Sequence, residues 1–136
     1  MVKRKVALAF LAHPDDAEFL CAGTLIRLAD IGYEIHICTA TAGDAGTNVH
    51  NRWDIASIRT TEARTAAAMI GGTYHCLGES DGMVVYDRTS VQRSIDLFRR
   101  VAPSLVFTHD GTASDSHGAA RTKHERFVWV DRKSGV

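Results

Sequence analysis

The sequence has no excess of charge of either sign: 16 Lys and Arg face 16 Asp and Glu over 136 residues. A protein that grips a polyanion carries a basic stripe, so this balance, with both signs interspersed, argues against a nucleic-acid partner. There is also no apolar run near the roughly 20 residues that cross a bilayer, and no membrane partner is expected. The opening MVKRKVALAF has the basic-then-apolar order of a secretion signal. Its apolar stretch is short, however, and His13, Asp15 and Asp16 end it without a small-residue cleavage site, so it reads as a first strand. Cysteine is scarce. Cys21, Cys38 and Cys76 form no C-x-x-C pair and have apolar neighbours, which reads as buried thiols in a reducing, cytoplasmic setting.

What is present is the profile of one ordinary globular domain over 1–136, with 45% hydrophobic and 24% charged residues. Four short apolar segments suit strands covered on both faces: Val6 to Leu11, Glu34 to Ala40, Thr73 to Leu77 and Ser104 to Thr108. Helical patterns separate them. The first has Cys21, Leu25, Leu28 and Ala29 on one face and stops at Gly32. The second, alanine-rich, has Ile55, Ile58, Ala66, Met69 and Ile70 as its apolar face and ends at Gly71 and Gly72. The third opens on a capping box of Thr89 and Gln92 and turns Val91, Ile95 and Phe98 inward. Strands alternating with helices predict an α/β fold, a Rossmann-like three-layer sandwich with a mainly parallel sheet.

Ligands of such sheets bind beyond the carboxyl ends of the strands. Four polar loops fall there: HPDD (13–16), TAGDAGT (41–47), GESDG (78–82) and HDGTASDSH (109–117). Pro14 fixes the backbone after the first strand, and a tight turn brings His13 and Asp16 toward one point. An imidazole and a carboxylate are two of the three protein ligands that a catalytic zinc site needs. Asp15, leaving the same turn in another direction, can then serve as general base on the metal's water. The third ligand must come from a neighbouring loop; His117 is best placed, with His109 and His124 in reserve. A plainer reading makes Asp16 a helix N-cap, Asp15 a partner of the helix dipole and His13 a polar residue at a strand end.

The segment AHPDDAEFLCAGTL (12–25) resembles the signature of the LmbE-like, or PIG-L type, deacetylases. Ala12, His13, Pro14, Asp15, Asp16, Glu18, Gly23 and Thr24 match, with Ala22 in place of one turn glycine. The resemblance runs on through TAGDAGT, through SIRTTEARTAAAMIGG with Arg59 and Glu62, and through LGESDG, covering about residues 5 to 110. It implies a zinc-dependent hydrolase that removes acetyl from an N-acetylglucosamine-containing conjugate, a small-molecule substrate. His13 and Asp16 would be metal ligands, although another divalent cation suits the same donors. Asp15 would be the base, Arg59 would hold the substrate, and Asp81 would take a sugar hydroxyl. On plainer readings Arg59 and Glu62 are a surface pair on a helix, and Asp81-Gly82 is a turn.

The family's last site motif resembles Asp-x-His-Pro-Asp-His, where this chain has Asp115-Ser116-His117-Gly118-Ala119-Ala120. Aligned strictly, the ligand position falls on Ala120. The segment 111–136 diverges, so the fold is expected to be C-terminally shortened, with exposed apolar faces that favour a homo-oligomer. Phe127, Val128, Trp129 and Val130 then form either a last strand or an interface. A binding module for a sugar or nucleotide conjugate, or an inactive homologue with an incomplete metal site, is the alternative to the enzyme.

Overall fold

A strand buried on both faces needs apolar residues at every position, and Val6–Leu11 supplies them. This is β1, the centre of the sheet. The computed structural model describes residues 4–109 and the backbone of 127–131. Along it follow α1 (Asp16–Leu20), α2 (Ala22–Asp30), β2 (Glu34–Thr41), α3 (Arg52–Met69), β3 (Thr73–Glu79), α4 (Arg88–Val101), β4 (Leu105–His109) and β5 (Phe127–Asp131).

The sheet order is β3-β2-β1-β4-β5. The first four strands are parallel, and β5 pairs antiparallel with β4 over Leu105↔Asp131 to His109↔Phe127. Residues 127–130 thus take the strand that the sequence offered as one of two readings. The α/β sandwich is as expected. Ala7, Ala9 and Leu11 face a core built with Ala17, Cys21, Leu25, Ile35, Ile37 and Ala67, which places α1, α2 and α3 on one side. Val6 and Leu8 face Cys38, Leu97 and Val101, which places α4 on the other. The chain moves outward from β1 through β2 to β3, then returns across the sheet to β4. The direction reverses at β1, and such a switch point opens a crevice at the strands' carboxyl ends.

Several local expectations are corrected. The first helix is broken at Cys21, whose φ of −142° lies outside the helical range, so α1 is a single short turn leading into α2. On α3 the buried residues are Ala63 and Ala67, while Met69 is 82% exposed. Small side chains let the helix lie close on the sheet, and the turn that follows it is tight as well: a Cβ on Gly72 would fall 3.3 Å from Ile35. Of the expected apolar face, Ile70 packs against the core, whereas Ile58 and Met69 are exposed. On α4 the buried residues are Leu97 and Val101; Phe98 packs against them as expected, while Ile95 stays partly exposed. Its capping box is Asp87 with Ser90, not Thr89 with Gln92: Ser90 N–H donates to the Asp87 carboxylate at 2.8 Å, and Asp87 N–H to the Ser90 hydroxyl at 3.2 Å. Cys21 and Cys38 are buried, and burial pushes both thiols up to about 12, but Cys76 is exposed.

No helix among the described residues is long and apolar enough to cross a membrane. The packing of α3 is directly testable. Ala67→Leu overfills a fully buried contact and is expected to cost about 1–3 kcal/mol, whereas Met69→Ala should change stability by less than about 0.5 kcal/mol in urea unfolding.

Candidate active site

The apolar strand β1 ends on a residue held from both sides. The carbonyl of Ala12 accepts from the Thr41 backbone N–H at 3.0 Å and from the Thr41 hydroxyl at 3.2 Å. Its N–H donates to His109 Nε2 at 3.1 Å. The ends of β2 and β4 therefore fix the point from which HPDD departs. The chain then turns at once: Asp16 N–H donates to the His13 carbonyl at 3.3 Å, and His13 N–H donates to Asp16 Oδ2 at 2.8 Å. Asp15 sits between them at φ 92°, a left-handed conformation that Asp tolerates better than most residues. Its side chain caps nothing in the helix. The turn sends the two adjacent carboxylates apart, Asp16 inward with 7% of its side chain exposed and Asp15 outward with 47%.

His13 carries the most specific feature of the site. Its Nε2 lies 2.8 Å from Asp81 Oδ1. An ionised carboxylate only accepts, so in the neutral imidazole the ring proton belongs on Nε2 and Nδ1 carries the lone pair. That Nδ1 is buried without a hydrogen-bond partner and faces Asp16 Oδ2 at 3.7 Å. An orphaned buried acceptor costs about 1–3 kcal/mol and calls for an explanation. A tetrahedral zinc spaces an imidazole nitrogen and a carboxylate oxygen about 3.4 Å apart, so these two atoms fit a shared cation. Burial raises the Asp16 pKa, but the hydrogen bonds from His109 and from the His13 backbone outweigh it and hold the carboxyl below its ordinary value. Asp16 is therefore ionised, as a ligand must be.

His109 Nε2 is also 3.2 Å from Asp16 Oδ2. One ring nitrogen cannot serve both neighbours: protonated, it donates to Asp16, and bare, it accepts from Ala12. Among the described residues no set of three or more His, Cys, Asp or Glu side chains is arranged to hold a metal ion. His117 and His124 lie outside the described residues.

Arg59, on α3, reaches back over this turn. Its guanidinium donates to the Pro14 carbonyl at 2.6 Å, the Gly43 carbonyl at 3.2 Å and Asp15 Oδ2 at 3.2 Å. The glycines of TAGDAGT are explained by this side chain. A Cβ on Gly43, whose φ is +65°, would fall 2.0 Å from Arg59 Nη1, and one on Gly46 would fall 2.7 Å from it. Glu62 does not pair with Arg59 in the described hydrogen bonds; it lines a small cleft of about 200 Å³ with Pro14, Asp15, Glu18 and Arg59.

Two residues that hold the Asp81 loop escaped the sequence reading. Asp44 Oδ1 accepts the Asp81 backbone N–H at 2.7 Å, and Asp44 Oδ2 accepts from Arg52 Nε at 2.8 Å. Arg52 also donates to the Asp81 carbonyl at 3.1 Å. The signal was available: two acidic residues in adjacent strand-end loops need a cation between them, and Arg52 follows the first loop closely. Trp53, largely exposed, borders a cleft of about 450 Å³ with Asp44, Arg52 and Ser80.

A family model described as GlcNAc-PI de-N-acetylase, PIG-L, matches residues 8–126. The fold is similar to that of N,N'-diacetylchitobiose deacetylase from Pyrococcus horikoshii, with a TM-score of 0.77 and 26% identity over 84% of this chain and 44% of that one. In sequence the chain is 25% identical to 1D-myo-inositol 2-acetamido-2-deoxy-alpha-D-glucopyranoside deacetylase of Rhodococcus jostii, covering 86% of this chain and 49% of the relative. It is 26% identical to 4-oxalmesaconate hydratase of Pseudomonas putida, covering 78% of this chain and 44% of the relative. The chain thus spans about half or less of the length of these relatives.

Two outcomes follow from the geometry. Gly43→Ala places a side chain at positive φ against a bonded guanidinium and is expected to destabilise by about 1–3 kcal/mol. Gly23→Ala, in open space within α2, should stabilise by about 0.5–1 kcal/mol. Because the folded pKa of Asp16 is depressed, its contribution to stability is full above the unfolded value near about pH 4 and is lost as pH falls through the folded value. Urea melts across about pH 2–6, the range that spans the carboxylate titration, should therefore show a shallower acid loss for Asp16→Asn than for the parent chain.

Proposed function

The chain belongs to the PIG-L, or GlcNAc-PI de-N-acetylase, family, and we propose that it is a metal-dependent amide hydrolase that removes acetyl from an N-acetylglucosamine-containing conjugate. The observation that carries this reading is His13: its Nε2 proton is engaged by Asp81, and its Nδ1 is bare, buried and turned toward an ionised Asp16. The deacetylases among its relatives act on N-acetylated sugars by name, which supplies the substrate class.

His13 and Asp16 would hold the cation, with His117 proposed as the third ligand and His109 or His124 as substitutes. Zinc suits this donor set, as do other divalent ions. When bound, such an ion supplies Lewis-acid polarisation of the acetamide carbonyl and an acidified water. The chain's own residues do the rest. Asp15, half-exposed at the rim, takes a proton from the attacking water on a carboxylate oxygen and returns it to the departing amine nitrogen. The water oxygen bonds to the acetyl carbon, the C–N bond breaks, and the products are acetate and the free amino sugar. Arg59 keeps Asp15 in place through its bonds to Pro14 and Asp15, and as a lining residue of the 200 Å³ cleft it would hold a substrate hydroxyl there.

A second reading is supported by the similarity to a hydratase, since the same frame can present water to a carbon–carbon double bond. The two chemistries separate in one assay. Acetate release from N-acetylglucosamine conjugates, inhibited by chelator, supports the hydrolase; hydration of an unsaturated tricarboxylate without acetate release would replace it. Asp15→Asn should retain metal by elemental mass spectrometry while activity falls about 10²–10⁴-fold. His13→Ala should lose the metal. Sugar binding indifferent to chelator, without hydrolysis, would instead identify a binding module.

A further inference from the structure

Asp81 comes from the loop after β3, 68 residues beyond His13, yet its carboxylate meets the one ring nitrogen of His13 that does not face Asp16. Both side chains are largely buried, 16% and 17% exposed. A residue serving only as a turn has no need to place its carboxylate there. Oδ1 is spent on the histidine, and Oδ2 is the oxygen left for any substrate hydroxyl.

The loop that carries Asp81 is itself held. Asp44 accepts its backbone N–H, and Arg52, paired with Asp44, donates to its carbonyl. Both backbone polar groups of Asp81 are therefore fixed by one ion pair that reaches across from the loop after β2 and the start of α3. Such a brace has one evident purpose for the side chain: to fix where the carboxylate sits.

We propose that Asp81, braced by the Asp44–Arg52 pair, is a positioning residue that locks the His13 ring in the orientation and tautomer presenting Nδ1 beside Asp16. This rests on the metal-dependent reading of the site. A carboxylate on the far nitrogen of a metal-binding histidine fixes the ring and raises its basicity, and loss of such a partner weakens metal affinity about 10–100-fold.

The test is titration of the metal-free, full chain with Co²⁺, followed by visible absorbance, alongside ¹⁵N-resolved NMR of the His13 ring without metal. Asp81→Ala should weaken Co²⁺ binding about 10–100-fold, and Asp81→Asn, which can still accept from Nε2, should recover part of the loss. Arg52→Gln should give an intermediate loss. In the metal-free protein the hydrogen-bonded Nε2 proton of His13 should be visible in the parent chain and absent in Asp81→Ala, with circular dichroism showing that both are folded. Equal Co²⁺ affinity in parent and Asp81→Ala, with only substrate KM raised, would overturn the positioning role and return Asp81 to the sugar. A parent chain that binds no Co²⁺ would overturn the metal-dependent function itself, and the NMR signal distinguishes that failure from loss of the Asp81 contact.

Discussion

The site depends on the fixing of Ala12. A buried strand cannot leave the backbone groups at its end unpaired, and here Thr41 satisfies the Ala12 carbonyl twice, while His109 Nε2 lies within reach of the Ala12 N–H and, in its other protonation state, of Asp16. The sheet thereby gives the next four residues a rigid origin. His13 to Asp16 occupy a single turn from that origin, and any slack in Ala12 would reach Asp15 and Asp16 directly.

From that origin the protein separates two aspartates that are adjacent in sequence. The left-handed backbone at Asp15 is a local strain of the kind that persists only where surroundings impose it. Arg59 imposes it here, bonded to the Pro14 carbonyl on one side of the turn and to the Asp15 carboxylate on the other. Two glycines in the next loop leave the space the guanidinium needs. Backbone conformation, a cation and a glycine cradle thus act together to give one carboxylate a buried, ionised place and the other an open one. On the proposed metal-dependent reading, the buried carboxylate would serve as ligand and the open one as base.

A similar economy governs His13. Its two ring nitrogens have different fates because one carboxylate comes from the same turn and another from a loop two strands away. The Asp44–Arg52 pair holds that distant loop. Of the three, only Asp81 stood out in the sequence; Asp44 lay inside a stretch that reads as glycine-rich loop, and Arg52 at the start of a helix reads as solvated surface. Their meeting is a consequence of β2 and β3 lying side by side with their loops on one rim.

The sequence by itself placed the four parallel strands, although only β1 and β2 are the covered apolar runs it suggested and the edge strand β3 has no buried residue, and it determined the chemical character of the first loop, because His, Pro and two aspartates after such a run have few structural reasons to be there. It also carried the family, through residues clustered within one turn and one helix. It did not determine which helix faces pack inward. Large apolar residues draw attention on α3 and α4, but distance to the sheet is set by small ones, Ala63 and Ala67, or by the rotation that buries Leu97 and Val101. Nor did it reveal the partners of His13 and Arg59, which lie 68 and 45 residues away. Periodicity is a local property of the chain, whereas a hydrogen bond between loops exists only after the crossovers have brought strand ends together, and that was decided by the tertiary structure.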